Sequence, residues 1–293
     1  MRSRKERRNG FLDAMHEVAD TDVLAADVDQ RIGHDLPRPV VGHLPAAIDL
    51  VAVFFMFAAG INFSLHFFAW RHVSVKHYLQ DQEFRAYAFI LLSVSAIVMA
   101  SLFYYRGFQA PIDTLLDGLF QSVSIATTTG FTTDSFALWP AALPVLLIFT
   151  SFIGGSAGST AGGIKVIRWL LVYKQGVREI ARLVHPSAEI PVKLGKTAVQ
   201  PRVVEAVWGF FSVYIIVFGV MLLAMMSTGL DQVTAFSAVA ATLNNLGPGL
   251  GDVASGFMSL SDTAKWIAVA GMLLSVGIGR WVQRGGVVGP QRS

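Results

Sequence analysis

The segment SVSIATTTGFTTDSF (Ser122–Phe136) lies between two apolar runs and contains five threonines and one glycine. Its only charged residue is Asp134, and it has no Lys, Arg, Glu or His. The segment is therefore rich in hydroxyl groups but lacks the acids and bases that a catalytic site would need.

The composition of the chain indicates a membrane protein. Of its 293 residues, 53% are hydrophobic and only 15% are charged, whereas soluble domains are about 25% charged. Several apolar runs approach the roughly 20 residues that cross a bilayer as a helix. The chain has no cysteine, which excludes disulfides and thiolate metal sites. No nucleophile–base, zinc or P-loop motif is present, so we do not expect an enzyme.

The apolar runs predict an all-α, multi-span fold with two additional short helices. Pro111–Ala126 is too short to span, and its proline suits the first position of a helix. Gln232–Thr242 is the second short helix. Five spans are predicted, at Ala46–Trp70, Ala86–Tyr105, from Ala141 onward, Val203–Ser227 and Thr263–Ile278. The third of these begins with Ala141–Ile153 and is interrupted after Ile153.

The two short helices belong to a repeated unit. LFQSVSIATTTG (Leu119–Gly130) aligns with AFSAVAATLNNLG (Ala235–Gly247) when one inserted residue is allowed. Each segment follows a long apolar span, ends in a polar strip that contains glycine, and precedes another apolar span. The unit is therefore a span, a re-entrant helix, a polar strip and a span.

This unit is suited to cation passage. Non-helical backbone at membrane depth is tolerated only where protein buries it or where it lines water. The C-terminal end of a short helix favours a cation, and backbone carbonyls can replace the hydration shell of a monovalent ion. Glycine permits the dihedral angles that turn carbonyls inward. The alternative interpretation of the threonine strip alone is a polar extracellular loop.

Four motifs resemble the TrkH/TrkG branch of the Trk/Ktr/HKT potassium transporter superfamily. They are AGINFSLHF (Ala59–Phe67), SIATTTGF (Ser124–Phe131), GGSAGSTAGGIKVIR (Gly154–Arg168) and LNNLGPGLGDV (Leu243–Val253). The resemblance covers roughly residues 43–274. It implies a pore built from four span–re-entrant helix–filter–span repeats, of which this chain contains the third and the fourth.

The resemblance also implies which residues bind the ion. Gly130 matches the filter glycine of the third repeat and Gly247 that of the fourth. Backbone carbonyls would coordinate K⁺, the transported ion, and no covalently bound cofactor is implied. The implied K⁺-binding residues are Thr128, Thr129, Gly130, Asn245, Leu246 and Gly247.

A glycine-rich segment, GGSAGSTAGG (Gly154–Gly163), interrupts the third span. Glycine costs about 1 kcal/mol in a helix interior, so a break is expected, although close packing of small residues between helices is an alternative. The resemblance implies a gate beneath the filter, formed by Gly154, Gly155, Gly158, Gly162 and Gly163. Lys165 and Arg168 match the family motif after this gate, and cytoplasmic anchoring is their alternative role.

The distribution of basic residues predicts the orientation. Residues 165–202 contain eight Lys and Arg, whereas the polar strips at 127–140 and 243–262 contain none. The basic segments therefore face the cytoplasm, and we expect a multi-pass protein of the bacterial inner membrane.

Both ends of the chain depart from the family pattern, so we expect a truncated or frameshifted form of a longer chain. Two of the four repeats should not be sufficient for a selective pore.

The predicted organisation has six parts. The parts are residues 1–42, atypical and disordered; 43–85, the closing helix of a preceding repeat with a cytoplasmic loop; 86–183, the third repeat; 184–201, a cytoplasmic linker; 202–279, the incomplete fourth repeat; and 280–293, a tail.

The resemblance implies potassium uptake through a channel-like transporter subunit. It further implies a homodimer in contact with membrane lipid, a TrkA-type cytosolic nucleotide-binding partner, and no nucleic acid. A membrane fragment without transport of its own and a secondary transporter with broken helices are the alternative functions.

Overall fold

A computed structural model describes residues 46–106, 111–140, 142–185, 188, 190–195 and 197–282. The prediction for residues 1–42, and most of the predicted tail, lie outside these ranges. The described residues form ten α-helices, two short 3₁₀ helices at Phe136–Leu138 and Gly251–Val253, and a hairpin of two-residue strands. The all-α prediction is thereby confirmed.

The helices follow the chain in a simple order. They are α1 (Ala46–Ala59), α2 (Phe63–Arg71), α3 (Lys76–Gln80), α4 (Gln82–Arg106), α5 (Pro111–Ala126), α6 (Leu143–Ile153), α7 (Val166–Val184), α8 (Pro201–Met226), α9 (Gln232–Asn244) and α10 (Asp262–Val282). The antiparallel strands β1 (Lys193–Leu194) and β2 (Thr197–Ala198) lie between α7 and α8.

Two helices of the described chain, α4 and α8, are long and apolar enough to cross a bilayer. The bent pair α1 and α2 is a third candidate if the pair counts as one span. The fifth predicted span corresponds to α10, which has 21 residues.

The first predicted span, Ala46–Trp70, is not one continuous helix. The chain bends by 96° between α1 and α2. Asn62 begins α2, where its side chain accepts a hydrogen bond from the Ser64 N–H at 2.9 Å. Asparagine is among the strongest N-cap residues, so a new helix starts here. We call residues 59–63 the α1–α2 break.

The predicted interruption of the third span is confirmed. Helix α6 ends at Ile153, and α7 begins only at Val166. Between them the backbone takes positive φ values at Gly154, Gly158 and Gly163, of 65°, 70° and 70°. These angles favour glycine over residues with a Cβ. We call Gly154–Gly163 the glycine loop.

The two short helices form as predicted, with one adjustment. Helix α5 has the predicted bounds, whereas α9 extends two residues beyond Thr242 to Asn244. Sixteen helical residues span roughly 24 Å, less than the apolar thickness of a bilayer. The side chains of α9 from Ala235 to Asn244 are nearly all buried. In α5 the buried stretch is Phe120–Ala126, so the C-terminal part of each short helix is enclosed by protein.

The core surrounds these two helices. Helix α5 packs against α1, α4 and α6, and α9 packs against α6, α8 and α10. Helix α6 thus contacts both short helices, and its Leu147 and Ile148 are completely buried between them. Large apolar side chains point away from the bundle on the outer surfaces of α1, α4 and α8, as expected for surfaces that contact lipid acyl chains: Phe54, Phe55, Phe89, Leu92, Ile215 and Ile216.

Two predicted boundaries need correction. The last helix continues through Val282, past the predicted end of the fourth repeat at residue 279. The predicted linker 184–201 contains the β1–β2 hairpin, and its last residue, Pro201, already begins α8. Proline is well tolerated at this first helical position because its missing N–H has no intrahelical partner there.

The α1–α2 break requires glycine at position 60. A Cβ there would overlap the hydroxyl of Tyr87, a side chain that is 2% exposed and donates to the Phe57 carbonyl at 3.0 Å. We expect Gly60→Ala to destabilise the full chain by about 1–3 kcal/mol, the usual cost of overpacking. The measurement is thermal unfolding of the detergent-purified chain.

Gly209→Ala is the matched control. Gly209 lies inside α8, and a Cβ there would meet no atom of the described chain within 4 Å. Alanine should stabilise this helix by about 1 kcal/mol. Equal melting temperatures for the two variants would contradict the proposed packing at Gly60.

Candidate functional site

The two polar strips have the same unusual backbone conformation. The φ angle is positive at Thr128 and Gly130, with values of 54° and 80°. It is positive again at Asn245 and Gly247, with values of 53° and 103°. Left-handed conformations are rare for residues other than glycine, so their recurrence at the same spacing defines a structural repeat. We call Thr128–Gly130 and Asn245–Gly247 the filter strips.

The hydrogen bonds that end α5 and α9 are also equivalent. The Thr129 N–H donates to the Ser124 carbonyl at 2.8 Å, and the Leu246 N–H donates to the Ala241 carbonyl at 2.8 Å. Because the spacing is identical in both strips, the repeat needs no inserted residue between the helix end and the glycine. The inserted residue in the sequence alignment therefore lies before Ser124 and Ala241.

The filter strips lie side by side. A Cβ on Gly130 would overlap the carbonyl oxygen of Leu246 and would lie 3.3 Å from the Pro248 Cδ. At Gly247 a Cβ would meet no described atom within 4 Å. Gly130 is thus required by both space and backbone angle, and Gly247 by backbone angle alone.

Threonine hydroxyls satisfy the backbone near the first filter strip. The Thr127 hydroxyl donates to the Val123 carbonyl at 2.7 Å and lies 2.8 Å from the Thr129 hydroxyl. The Ser124 hydroxyl donates to the Phe131 carbonyl at 2.7 Å. The carbonyls that accept these bonds lie outside Thr128–Gly130, so these bonds use no carbonyl of the first filter strip.

The only acid of the opening segment takes a structural role in the loop that follows. The Asp134 carboxylate accepts from the Trp139 indole N–H at 3.0 Å and from the Ser135 N–H at 2.7 Å. The Asp134 carbonyl accepts from the amide of Gln121, a completely buried residue of α5, at 3.3 Å. The Asp134 carboxylate therefore stabilises the loop itself, and the bond from Gln121 joins the loop to α5.

Asn244 supports the second filter strip and was not among the predicted site residues. Its side chain is completely buried. It accepts from the Tyr214 hydroxyl at 2.8 Å and donates to the Ser151 hydroxyl at 2.9 Å. The strip is thereby fixed to α8 and α6. The pair of adjacent asparagines in an apolar segment was the only sequence signal for this support.

The glycine loop reaches the first filter strip and the residue that precedes the second. The Gly162 N–H donates to the Thr128 hydroxyl at 2.5 Å, and a Cβ on Gly162 would overlap the Asn244 carbonyl oxygen. Gly155 has less space than a Cβ needs as well, since its Cβ would lie 2.8 Å from the Gly60 carbonyl oxygen in the α1–α2 break. The five predicted loop glycines are thus brought together between the filter strips and this break.

Lys165 and Arg168 fold toward the protein. The Lys165 Nζ donates to the Ala161 carbonyl of the glycine loop. The Arg168 side chain is 7% exposed, donates to the Ile164 carbonyl at 2.9 Å, and lies 4.1 Å above the Phe210 ring. Arg168 is therefore packed against α8 rather than exposed, and the roles of Lys165 and Arg168 stay predictions.

A cavity of about 1020 Å³ adjoins these groups. Its walls come from the glycine loop, from α8, from α10 and from the first residues of α2. They include Lys165, Arg168, Asn245 and Ser275. The Asn245 amide donates to the Ser275 hydroxyl at 2.7 Å, which joins the second filter strip to α10. Among the described residues, no group of three or more His, Cys, Asp or Glu could hold a metal ion.

Comparison with known proteins gives consistent matches. Residues 45–280 match the family model of TrkH, described as a cation transport protein. The chain is 53% identical over 229 residues to the Trk system potassium uptake protein TrkH of Vibrio parahaemolyticus, which covers 78% of this chain and 47% of that protein. It is 35% identical over 228 residues to the Trk system potassium uptake protein TrkG of Escherichia coli, again covering 78% and 47%.

A solved structure agrees with the fold. The crystal structure of the potassium transporter TrkH from Vibrio parahaemolyticus matches with a TM-score of 0.77 at 48% identity, covering 85% of this chain and 53% of that chain. The chain spans about half the length of the curated relatives it matches. Its apolar helices and these relatives make it a multi-pass protein of the bacterial inner membrane. From the fold, the repeated filter strips and these matches together, the chain belongs to the TrkH family of cation transport proteins.

Proposed function

We propose that this chain provides two adjacent repeats of a potassium uptake pore, in which the filter strips coordinate K⁺ through backbone carbonyls. The observation that carries the proposal is the recurrence of one backbone conformation, with positive φ at two positions in each filter strip. Residues with a Cβ adopt such angles at a cost of roughly 1–3 kcal/mol. Two independent segments that both bear this cost at the ends of buried helices indicate a functional requirement.

The surrounding electrostatics favour a cation. Helices α5 and α9 end at the filter strips, and helix C-termini carry partial negative charge. Carbonyl dipoles and the helix ends attract K⁺ without a fixed negative charge that would trap it. The K⁺ site in this proposal consists of Thr128, Thr129, Gly130, Asn245, Leu246 and Gly247.

The glycine loop is the gate in this proposal. Gly162 contacts the Thr128 hydroxyl and the Asn244 carbonyl, so the loop lies against the first filter strip and beside the start of the second. Backbone that close to the filter obstructs an ion that leaves it toward the cavity. Lys165 places a positive charge beside the same route and raises the barrier for a cation while the loop is in this position.

The proposed assembly is larger than this chain. Relatives are named as proteins of a Trk system, which supports further components. We propose a homodimer and a TrkA-type cytosolic nucleotide-binding regulator at the predicted cytoplasmic surface, which includes the exposed Arg182 of α7. Co-purification tests the second partner. We expect a TrkA-type protein to be retained on an affinity column when this chain is bound to the column, and to pass through when the chain is absent.

The filter assignment predicts ion selectivity. We define a grafted transporter, in which residues 46–282 of this chain replace the matching segment of the Vibrio parahaemolyticus relative. Gly130→Ala in this protein should lower K⁺-over-Na⁺ selectivity by about tenfold, since a left-handed alanine costs roughly 1–2 kcal/mol and also meets the Leu246 carbonyl. Gly247→Ala should have a smaller effect. The measurement is the reversal potential of proteoliposomes in K⁺ and Na⁺ gradients.

Gly219→Ala in α8 is the control for both substitutions. Its Cβ would meet no described atom within 4 Å, and the residue lies within a helix. Selectivity should equal that of the unmodified grafted transporter. Unchanged selectivity in both filter variants would show that these glycines do not form the filter.

The gate assignment predicts basal flux. Deletion of residues 157–159 from the grafted transporter should raise K⁺ flux in the absence of a regulator at least about tenfold, because the loop no longer reaches the filter strips. The assay is K⁺ efflux from liposomes, with an unchanged elution volume as evidence of assembly. Unchanged flux from a correctly assembled protein would instead support a packing role for the small residues.

A further inference from the structure

Main-chain hydrogen bonds hold the glycine loop in place. The Ser156 N–H donates to the Gly60 carbonyl at 2.9 Å, and the Phe63 N–H donates to the Gly158 carbonyl at 3.2 Å. Both bonds join the loop to the α1–α2 break. They involve no side chain, so they can form in any conformation that brings the two backbones together.

The buried side chain of Glu83 also contacts the glycine loop. Glu83, in the first turn of α4, is 8% exposed. Its Oε1 accepts from the Ala157 N–H of the glycine loop at 2.6 Å. The Glu83 carboxyl group therefore joins the glycine loop to the first turn of α4.

The position of Glu83 is itself fixed. The neighbouring Gln82 accepts from the Lys174 Nζ of α7 at 3.0 Å and from the Gly195 N–H of the β1–β2 hairpin at 2.8 Å. The Phe84 N–H donates to the Asp81 carboxylate at 2.6 Å. The first turn of α4 therefore connects the loop to α7 and to the predicted cytoplasmic hairpin.

We propose that Glu83 is a positioning residue that holds the glycine loop against the filter strips. The inference deepens the proposed function and rests on it, since the loop matters for transport only if it obstructs the pore. Opening the loop separates Ala157 from Glu83 and leaves a buried N–H and a buried carboxyl oxygen without that partner. The contact therefore favours the closed position, and a movement of the first turn of α4 weakens it.

Cysteine labelling tests the position of the loop without any transport measurement. The chain has no native cysteine, so Ser156→Cys introduces a single thiol. Ser156 is 1% exposed, and its hydroxyl has no hydrogen-bond partner in the described structure, so the substitution removes no contact. In membranes that contain the full chain, Glu83→Ala should increase the rate of maleimide labelling roughly tenfold, as expected when a buried hydrogen bond is lost. Glu83→Gln, which retains an acceptor oxygen, should give a smaller increase.

Two controls separate loop opening from unfolding. Ser95→Cys in α4 places a thiol at another buried serine, 2% exposed and equally without a hydrogen-bond partner in the described chain. Its labelling should not change with Glu83→Ala. Glu205→Gln, at an exposed position of α8, should leave labelling at both sites unchanged. Equal increases at positions 95 and 156, or no increase at position 156, would overturn the proposal.

Flux then distinguishes this inference from the proposed function. Glu83→Ala in the grafted transporter should raise basal K⁺ efflux together with labelling at position 156. If labelling rises and flux stays constant, Glu83 positions the loop but the loop is not the gate. If labelling stays constant while loop deletion raises flux, the gate assignment holds and the role of Glu83 is wrong.

Discussion

The need to satisfy main-chain polar groups inside the membrane governs this structure. Each unsatisfied N–H or carbonyl in an apolar medium costs several kcal/mol, yet the chain leaves helical structure at the α1–α2 break, at the glycine loop and at both filter strips. These irregular segments lie together and satisfy one another. The loop exchanges main-chain hydrogen bonds with the break, and it meets the first filter strip through Gly162 and the Thr128 hydroxyl. None of them would be stable in lipid without the others.

Glycine makes this mutual packing possible. Where two backbones meet, a Cβ on either one would separate them, as it would between Gly130 and the Leu246 carbonyl or between Gly162 and the Asn244 carbonyl. Threonine is suited to the other positions, because its hydroxyl supplies a donor and an acceptor within the same short segment. The Thr127 hydroxyl does so four residues back, at Val123. The threonines and the glycine of the opening segment thus have one physical explanation, which is an irregular backbone enclosed by protein.

The sequence predicted the elements that depend on local chemistry. Pro111 marked the start of α5, and five glycines in ten residues marked the break after α6, because both residues act on the backbone at their own position. The bend at the α1–α2 break was missed, since a single glycine in AGIN interrupts an otherwise continuous apolar run. Contacts between distant residues were missed as well. Glu83 and Ala157 are 74 residues apart, and Asn244 and Ser151 are 93 apart, and no periodicity within either segment reports such a pairing.

The two repeats share a backbone but differ in how it is supported. The first filter strip is supported locally by threonine hydroxyls and accepts a bond from the glycine loop at Thr128. The second is supported from a distance, by Tyr214 and Ser151 through the Asn244 side chain. A movement of the loop therefore removes a hydrogen bond from the first strip only, while the second loses contact with Gly162 but keeps its side-chain bonds. The first strip therefore shares a side-chain hydrogen bond with the glycine loop, whereas the side-chain bonds that support the second strip involve only α8 and α6.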